Sequence, residues 1–204
     1  TGGTGGHIYP AMALAQQFAR EQKDVEILFV GGGLADNRYF DRNEFDYRTV
    51  SCGAFINRSP WSLLRSCANI SKGIVQSCAI IREFRPDVAV GFGSYYSFPP
   101  LIAAKLKSVP LVLHEANSIP GKVNRLLAPY AHATGVHFPQ TLNLIKGIRH
   151  EVGMPLRTGF NKRSGSKADA IKYFGLQDGV VTLLVFGGSQ GANIINRQFP
   201  VALE

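Results

Sequence analysis

Three glycine-rich turns carry the chemistry open to this chain: residues 1–7 (TGGTGGH), 91–97 (GFGSYYS) and 187–191 (GGSQG). Each opens a helical pattern, the second and third directly after an apolar stretch, the place at which backbone N–H groups and helix N-termini converge on anions. Three turns placed alike in 204 residues point to a protein that handles phosphorylated ligands on more than one loop. Thr4, Gly5 and Gly6 have no bulky side chain to keep a phosphate from the backbone. His7 follows directly, and an imidazole with an ordinary pKa of about 6.5 can exchange protons there. The competing reading of His7 is a helix-start histidine that only hydrogen-bonds locally. Glu115 and Asn117 stand just past an apolar stretch, at the strand end where open α/β sheets bind ligands.

Strands and helices must hold those turns in place. Pro10 fits a first helical position, and Ala11, Met12, Leu14, Ala15, Phe18 and Ala19 carry a helix onward. Residues 25–30 read as a short apolar strand ending in three glycines. A long helix covers residues 63–84 and is stopped by Pro86, with a strand at 87–90. A helix at 98–107 is opened by Pro99 and Pro100; a strand at 111–114, a helix at 123–127 and a strand near 133–138 follow. Residues 161–167, rich in Ser, Gly and basic side chains, read as an interdomain linker. Residues 180–186 form an apolar strand that starts a second unit. Apolar strands alternating with helices predict a parallel sheet covered on both faces. The expected class is therefore α/β with two Rossmann-like domains. The expected division is residues 1–157 for the first domain, its first strand missing, and 158–204 for the linker and the start of the second.

Composition narrows the function. Hydrophobic residues make up 45% of the chain and charged residues 18%, enough to build a core, and no run approaches the ~18 apolar residues of a membrane span. The three cysteines lack Cys-x-x-Cys spacing and read as reduced structural thiols. No glycine turn spells Gly-x-Gly-x-x-Gly, and glycines replace the acid that would hold an adenine ribose. No turn ends in Gly-Lys-Ser/Thr, so dinucleotide and P-loop enzymes are both disfavoured. The five histidines make no helix-face pair with an acid, so no metal is expected. The net charge of +8 gathers at residues 58–85 and 146–167 without a dense run of Lys and Arg among aromatics, which argues against nucleic acid. In the first stretch Leu63, Cys67, Ile70, Ile74, Cys78 and Ile81 recur at helical spacing and should face the core. The basic flank, with Phe55 and Trp61, has the composition of a surface that rests on an anionic bilayer.

The segments TGGTGGHIYPAMALA, GFGSYYSFP, HEANSIPGKVNRLLA, VGMPLR and LLVFGGSQGANIIN, in this order, resemble the MurG family of peptidoglycan glycosyltransferases, and the resemblance covers essentially the whole chain. It implies a GT-B fold, an acceptor-binding first domain and the start of a donor-binding second domain. It also implies inverting, metal- and cofactor-independent transfer of N-acetylglucosamine from UDP to the muramyl 4-hydroxyl of lipid I, at the cytoplasmic face of the inner membrane. By that resemblance His7 is the functional histidine, and Glu115 orients or deprotonates the acceptor unless it is a buried structural carboxylate. Thr4, Gly5, Gly6, Asn117, Arg157 and Ser189 contact the nucleotide sugar or a diphosphate, and Tyr95 and Asn124 lie on the acceptor side. Ser94, Ala116 and Met154 depart from the family pattern. The alternatives are a GT-B transferase that glycosylates another membrane lipid, and a non-catalytic acceptor-binding subunit.

Overall fold

The computed structural model describes residues 1–53, 59–157, 165–187 and 192–202. Its contacts divide the chain into two compact units, Thr1–Thr158 and Gly159–Glu204. In the first unit α1 (Gly5–Glu21) leads to β1 (Leu28–Gly31), which pairs in parallel with β2 (Asp46–Thr49). Next come α2 (Pro60–Phe84), β3 (Ala89–Gly91), α3 (Phe98–Leu106), β4 (Leu111–Glu115), α4 (Lys122–Leu127), β5 (Ala133–Val136) and β6 (Arg149–Glu151). Strands β3 to β6 form a second sheet, parallel throughout and ordered as in sequence. Val112 of β4 stands between Val90 and Ala133, so both edges of β4 are bonded. The expected α/β class with parallel strands is what the structure shows.

Two cores hold these layers. Ile8, Met12 and Ala15 of α1 pack with Phe29, Leu34, Phe40 and Phe92. Leu101, Leu111, Leu113, Leu127, Val136 and Ile145 form the other, in which α3 and α4 cover the second sheet. Each Leu, Ile, Val, Phe or Met side chain among them, fully buried, stabilises the fold by about 1.5–3 kcal/mol. An apolar cavity of about 390 Å³ is lined by residues of both β1 and β3, including Leu28, Val30, Ala89 and Val90, together with Leu14 and Leu101.

Several elements differ from the sequence reading. Helix α1 starts at Gly5, five residues before Pro10, because the amides of His7 and Ile8 both donate to the Thr4 carbonyl and close the first turn. Pro10 then lies inside the helix and leaves one backbone bond unmade. Helix α2 buries Ser66, Ile70, Gly73 and Ser77, whereas Leu63 and Cys67 of the expected stripe are exposed. Small residues win that face because the neighbours come very close. A Cβ on Gly73 would lie 1.9 Å from the Ser51 carbonyl oxygen, and one on Gly53 would lie 2.4 Å from that of Ser66. The helix stops as expected, with Arg85 in the left-handed region ahead of Pro86. Strands β2 and β6 carry almost wholly exposed polar sequences, DYRT and RHE, without apolar alternation, and were not predicted.

The second unit holds α5 (Lys167–Phe174), opened by a reciprocal Ser166–Asp169 capping box, and α6 (Asn193–Val201). Residues 180–186, expected as its first strand, bond to no ladder and lie open, Val181 being 95% exposed. A strand exists only by pairing, and the described residues of this unit offer no neighbour. Most of the expected linker, residues 161–164, lies outside the described residues.

Candidate active site

The first turn is built tightly on the second. Gly3 has a φ of +86°, and a Cβ on it would lie 2.9 Å from Ser94 Oγ and 3.1 Å from the Tyr96 ring. Asn37 Nδ2 donates to the Gly3 carbonyl at 2.8 Å, pinning the turn from the loop that follows β1. Thr4 is the N-cap residue of α1, yet its side chain does not cap the helix. Its Oγ1 lies instead 3.2 Å from His7 Nδ1, so the amides of the first helical turn keep no side-chain partner. A Cβ on exposed Gly6 would meet only Thr4 Oγ1, at 3.8 Å. The turn is thus open to an anion and held by the residues behind it.

His7 is half-buried, and burial lowers its pKa below the ordinary 6.5, opposed in part by the negative charge of Glu115. It is therefore neutral at pH 7 and able to accept a proton. Thr4 Oγ1 occupies Nδ1 and leaves Nε2 for chemistry. Gly93, in the second turn with a φ of +83°, is the meeting point. A Cβ there would lie 3.3 Å from Asn124 Nδ2, 3.5 Å from Asn124 Oδ1 and 3.5 Å from His7 Cδ2. Sequence reasoning named the second turn without singling out this glycine, since only the packed partners reveal it.

The third contribution comes from the loop after β4. Glu115 is 2% exposed. Its Oε1 accepts from the Asn117 amide at 2.9 Å and Asn117 Nδ2 at 2.8 Å; its Oε2 accepts from the Gly121 amide at 2.8 Å and Asn124 Nδ2 at 3.0 Å. Asn124, 1% exposed, also donates to the His114 carbonyl, while its Oδ1 has no partner. His114 is buried with Nε2 unpartnered, and burial lowers its pKa as well. Thr141, fully buried and unremarked in the sequence, lies with Oγ1 2.9 Å from the Ser118 carbonyl and 3.1 Å from that of Asn117.

The remaining predicted residues fall around this centre. Tyr95 stacks on Tyr96 with ring centroids 4.2 Å apart; burial and a hydrogen bond with Tyr96 push its phenol up to about 12. The Arg157 guanidinium lies 3.9 Å over the ring of Tyr9, one helical turn into α1, and Tyr9 meets Tyr39 edge to face. That seat on α1 was not visible in the sequence. Ser189 lies outside the described residues. The structure thus brings His7, Gly93, Asn124 and Glu115 together, ties Asn117 to Glu115, and seats Arg157 on the first helix. Among the described residues no group of three or more His, Cys, Asp or Glu could hold a metal ion. No helix among them is long and apolar enough to cross a membrane.

Residues 1–136 match the model of the glycosyltransferase family 28 N-terminal domain. Over 96% of its length the chain is 54% identical to the UDP-N-acetylglucosamine–N-acetylmuramyl-(pentapeptide) pyrophosphoryl-undecaprenol N-acetylglucosamine transferase of Protochlamydia amoebophila, covering 52% of that protein. It is 36% identical, over 99% of its length, to 53% of the protein of the same name from Chlamydia trachomatis serovar L2. The crystal structure of Acinetobacter baumannii MurG shares the fold, with a TM-score of 0.68 at 24% identity, over 98% of this chain and 52% of that one. The chain spans about half the length of the curated relatives it matches.

Proposed function

The chain belongs to glycosyltransferase family 28, and from that premise we propose that its protein transfers N-acetylglucosamine from UDP-N-acetylglucosamine to the muramyl 4-hydroxyl of lipid I. The observation that carries the reading is the meeting of His7, Gly93 and Asn124 at the ends of three loops. The names of the relatives support the donor and acceptor.

In this reading the acceptor hydroxyl gives its proton to His7 Nε2 as its oxygen attacks the anomeric carbon. The new C–O bond forms as the bond to the diphosphate breaks, with inversion, and UDP departs with the electron pair. Negative charge growing on the leaving group requires fixed N–H groups or cations. Arg157, held on Tyr9, supplies one cation, and Thr4, Gly5 and Gly6 supply a backbone cradle for a diphosphate. Asn117 and Ser189 contact the nucleotide sugar, and Tyr95 and Asn124 line the acceptor side. The first unit binds the acceptor, and the second begins the donor-binding domain.

Lipid I cannot leave its bilayer, so the protein docks peripherally on the anionic cytoplasmic face. Support comes from α2, where Trp61 (81% exposed), Leu64, Arg65, Lys72 and Val75 share one outward face at helical spacing. Phe55 and Arg58, also expected there, lie outside the described residues. The test of the function is a coupled assay of the complete protein with UDP-N-acetylglucosamine and a soluble lipid I analogue. UDP release that depends on the analogue is expected; release with a diacylglycerol acceptor and none with the analogue would overturn the assignment.

A further inference from the structure

We infer that Glu115 is a positioning residue whose carboxylate turns the side-chain amides of Asn117 and Asn124 so that each offers a carbonyl oxygen, and therefore accepts, at the sugar side of the site. The inference rests on the transferase reading above and assigns a polarity within it. An ionised carboxylate has about four acceptor positions, and four N–H donors fill those of Glu115 at 2.8–3.0 Å. A proton arriving there would displace a donor and strand a buried N–H group, so the proton acceptor is His7.

The carboxylate has no hydrogen to give, so only the NH2 end of each amide can face it. Asn117 is exposed, and with Nδ2 turned inward its Oδ1 is the group left for a ligand. Asn124 spends Nδ2 on Glu115 and on the His114 carbonyl, leaving a buried, unpartnered Oδ1 beside Gly93 and His7. Two carbonyl oxygens call for ligand groups that donate, namely sugar hydroxyls or an acetamido N–H, and they repel phosphate oxygens. The phosphates are thereby directed to the glycine turn and Arg157, and the sugars to the loop after β4. Thr141, at the other side of that loop, holds it against the pull of a bound sugar.

The test uses the complete protein with Glu115→Gln, Asn117→Asp and Asn117→Ala. Glu115→Gln places an NH2 against two donors and should raise KM for UDP-N-acetylglucosamine about tenfold or more. The acid limb of the kcat/KM pH profile should stay where His7 sets it, and adding Asn117→Ala should cost little more. Loss of that limb with unchanged KM would make Glu115 the base and overturn the inference, as would fully multiplicative effects in the double variant. Should Glu115→Gln fail to fold, Asn117→Asp, an exposed isostere that repels the carboxylate, carries the same KM test; wild-type KM would overturn it. The 15N side-chain amide signals of the wild-type protein read the polarity without turnover. Slow hydrogen exchange at Asn117 Nδ2 is expected, and free exchange would overturn the inference even if no transfer is found. Absence of transfer by the wild-type protein would strike only the transferase assignment.

Discussion

His7 takes its orientation from a hydroxyl, Thr4 Oγ1 at 3.2 Å from Nδ1, and its protonation state from burial. Burial keeps the ring neutral at neutral pH, and in the tautomer whose Nδ1–H donates to Thr4 Oγ1 the basic nitrogen is Nε2. His7→Ala should therefore lower kcat by about a hundredfold or more while donor affinity, measured calorimetrically, changes little; near-normal turnover would leave His7 a structural role only. Because its pKa is lowered from 6.5, the wild-type kcat/KM profile should be flat near pH 7 and fall only below 6.5. In the proposed reaction Arg157 works through charge, apart from the proton transfer to His7. Its guanidinium, seated over Tyr9, should contribute about 1.5–3 kcal/mol to binding a diphosphate, so UDP inhibition of Arg157→Ala should weaken about tenfold or more. Unchanged inhibition would put the diphosphate elsewhere.

Helix α2 serves two surfaces with one sequence. Its inner face is a row of small residues that lets it approach α3 and the strand of chain around Ser51. Gly73→Ala would set a methyl 1.9 Å from the Ser51 carbonyl oxygen, and the neighbouring backbone must move. The expected loss is about 1–3 kcal/mol, read from urea unfolding; wild-type stability would mean the loop yields without cost. The outer face carries Trp61, Leu64, Arg65, Lys72 and Val75 into solvent. Each cation near anionic lipid contributes about 1 kcal/mol, and salt screens it. Replacing Arg58, Arg65 and Lys72 with Gln should release the protein from vesicles containing anionic lipid without altering UDP binding. Equal binding to neutral and anionic vesicles would show that the face is merely solvated.

At the scale of the whole molecule, burial of neutral histidines ties stability to pH. His7 and His114 both have folded pKa values lowered by burial below the ordinary 6.5. Below pH 6.5 the unfolded chain takes up protons that the folded chain refuses, so stability declines as pH falls toward the folded values and levels beneath them. Above 6.5 both states are neutral at these groups, and they contribute no slope. The melting temperature should therefore drop between pH 7 and 5, and less so in a His114→Gln variant. A flat profile in both proteins would show that these rings protonate freely in the folded state.

Sequence alone determined the alternation of strands and helices, the three glycine turns, and the side chains, His7 and Arg157, that are proposed for proton transfer and diphosphate binding. These are local properties: hydrophobic period, turn chemistry and the identity of side chains within a few positions. Residues 111–113 (LVL) are an apolar run directly after Pro110 and specify a buried strand wherever they pack, so β4 was legible. Residues 46–49 and 149–151 are polar, and the neighbours β1 and β5 make them strands, so β2 and β6 were not. Residues 180–186 have the local pattern, but no described partner completes a ladder. Only tertiary structure decided which face of α2 is buried, because the approach of Ser51 excludes larger side chains there. It also decided that Gly93 lies against both His7 and Asn124, and that Glu115 spends all its acceptor capacity on the loop after β4 and the first turn of α4. Hydrogen-bond saturation depends on how the loop after β4 and the first turn of α4 fold back on the strand end, and no spacing of residues encodes it.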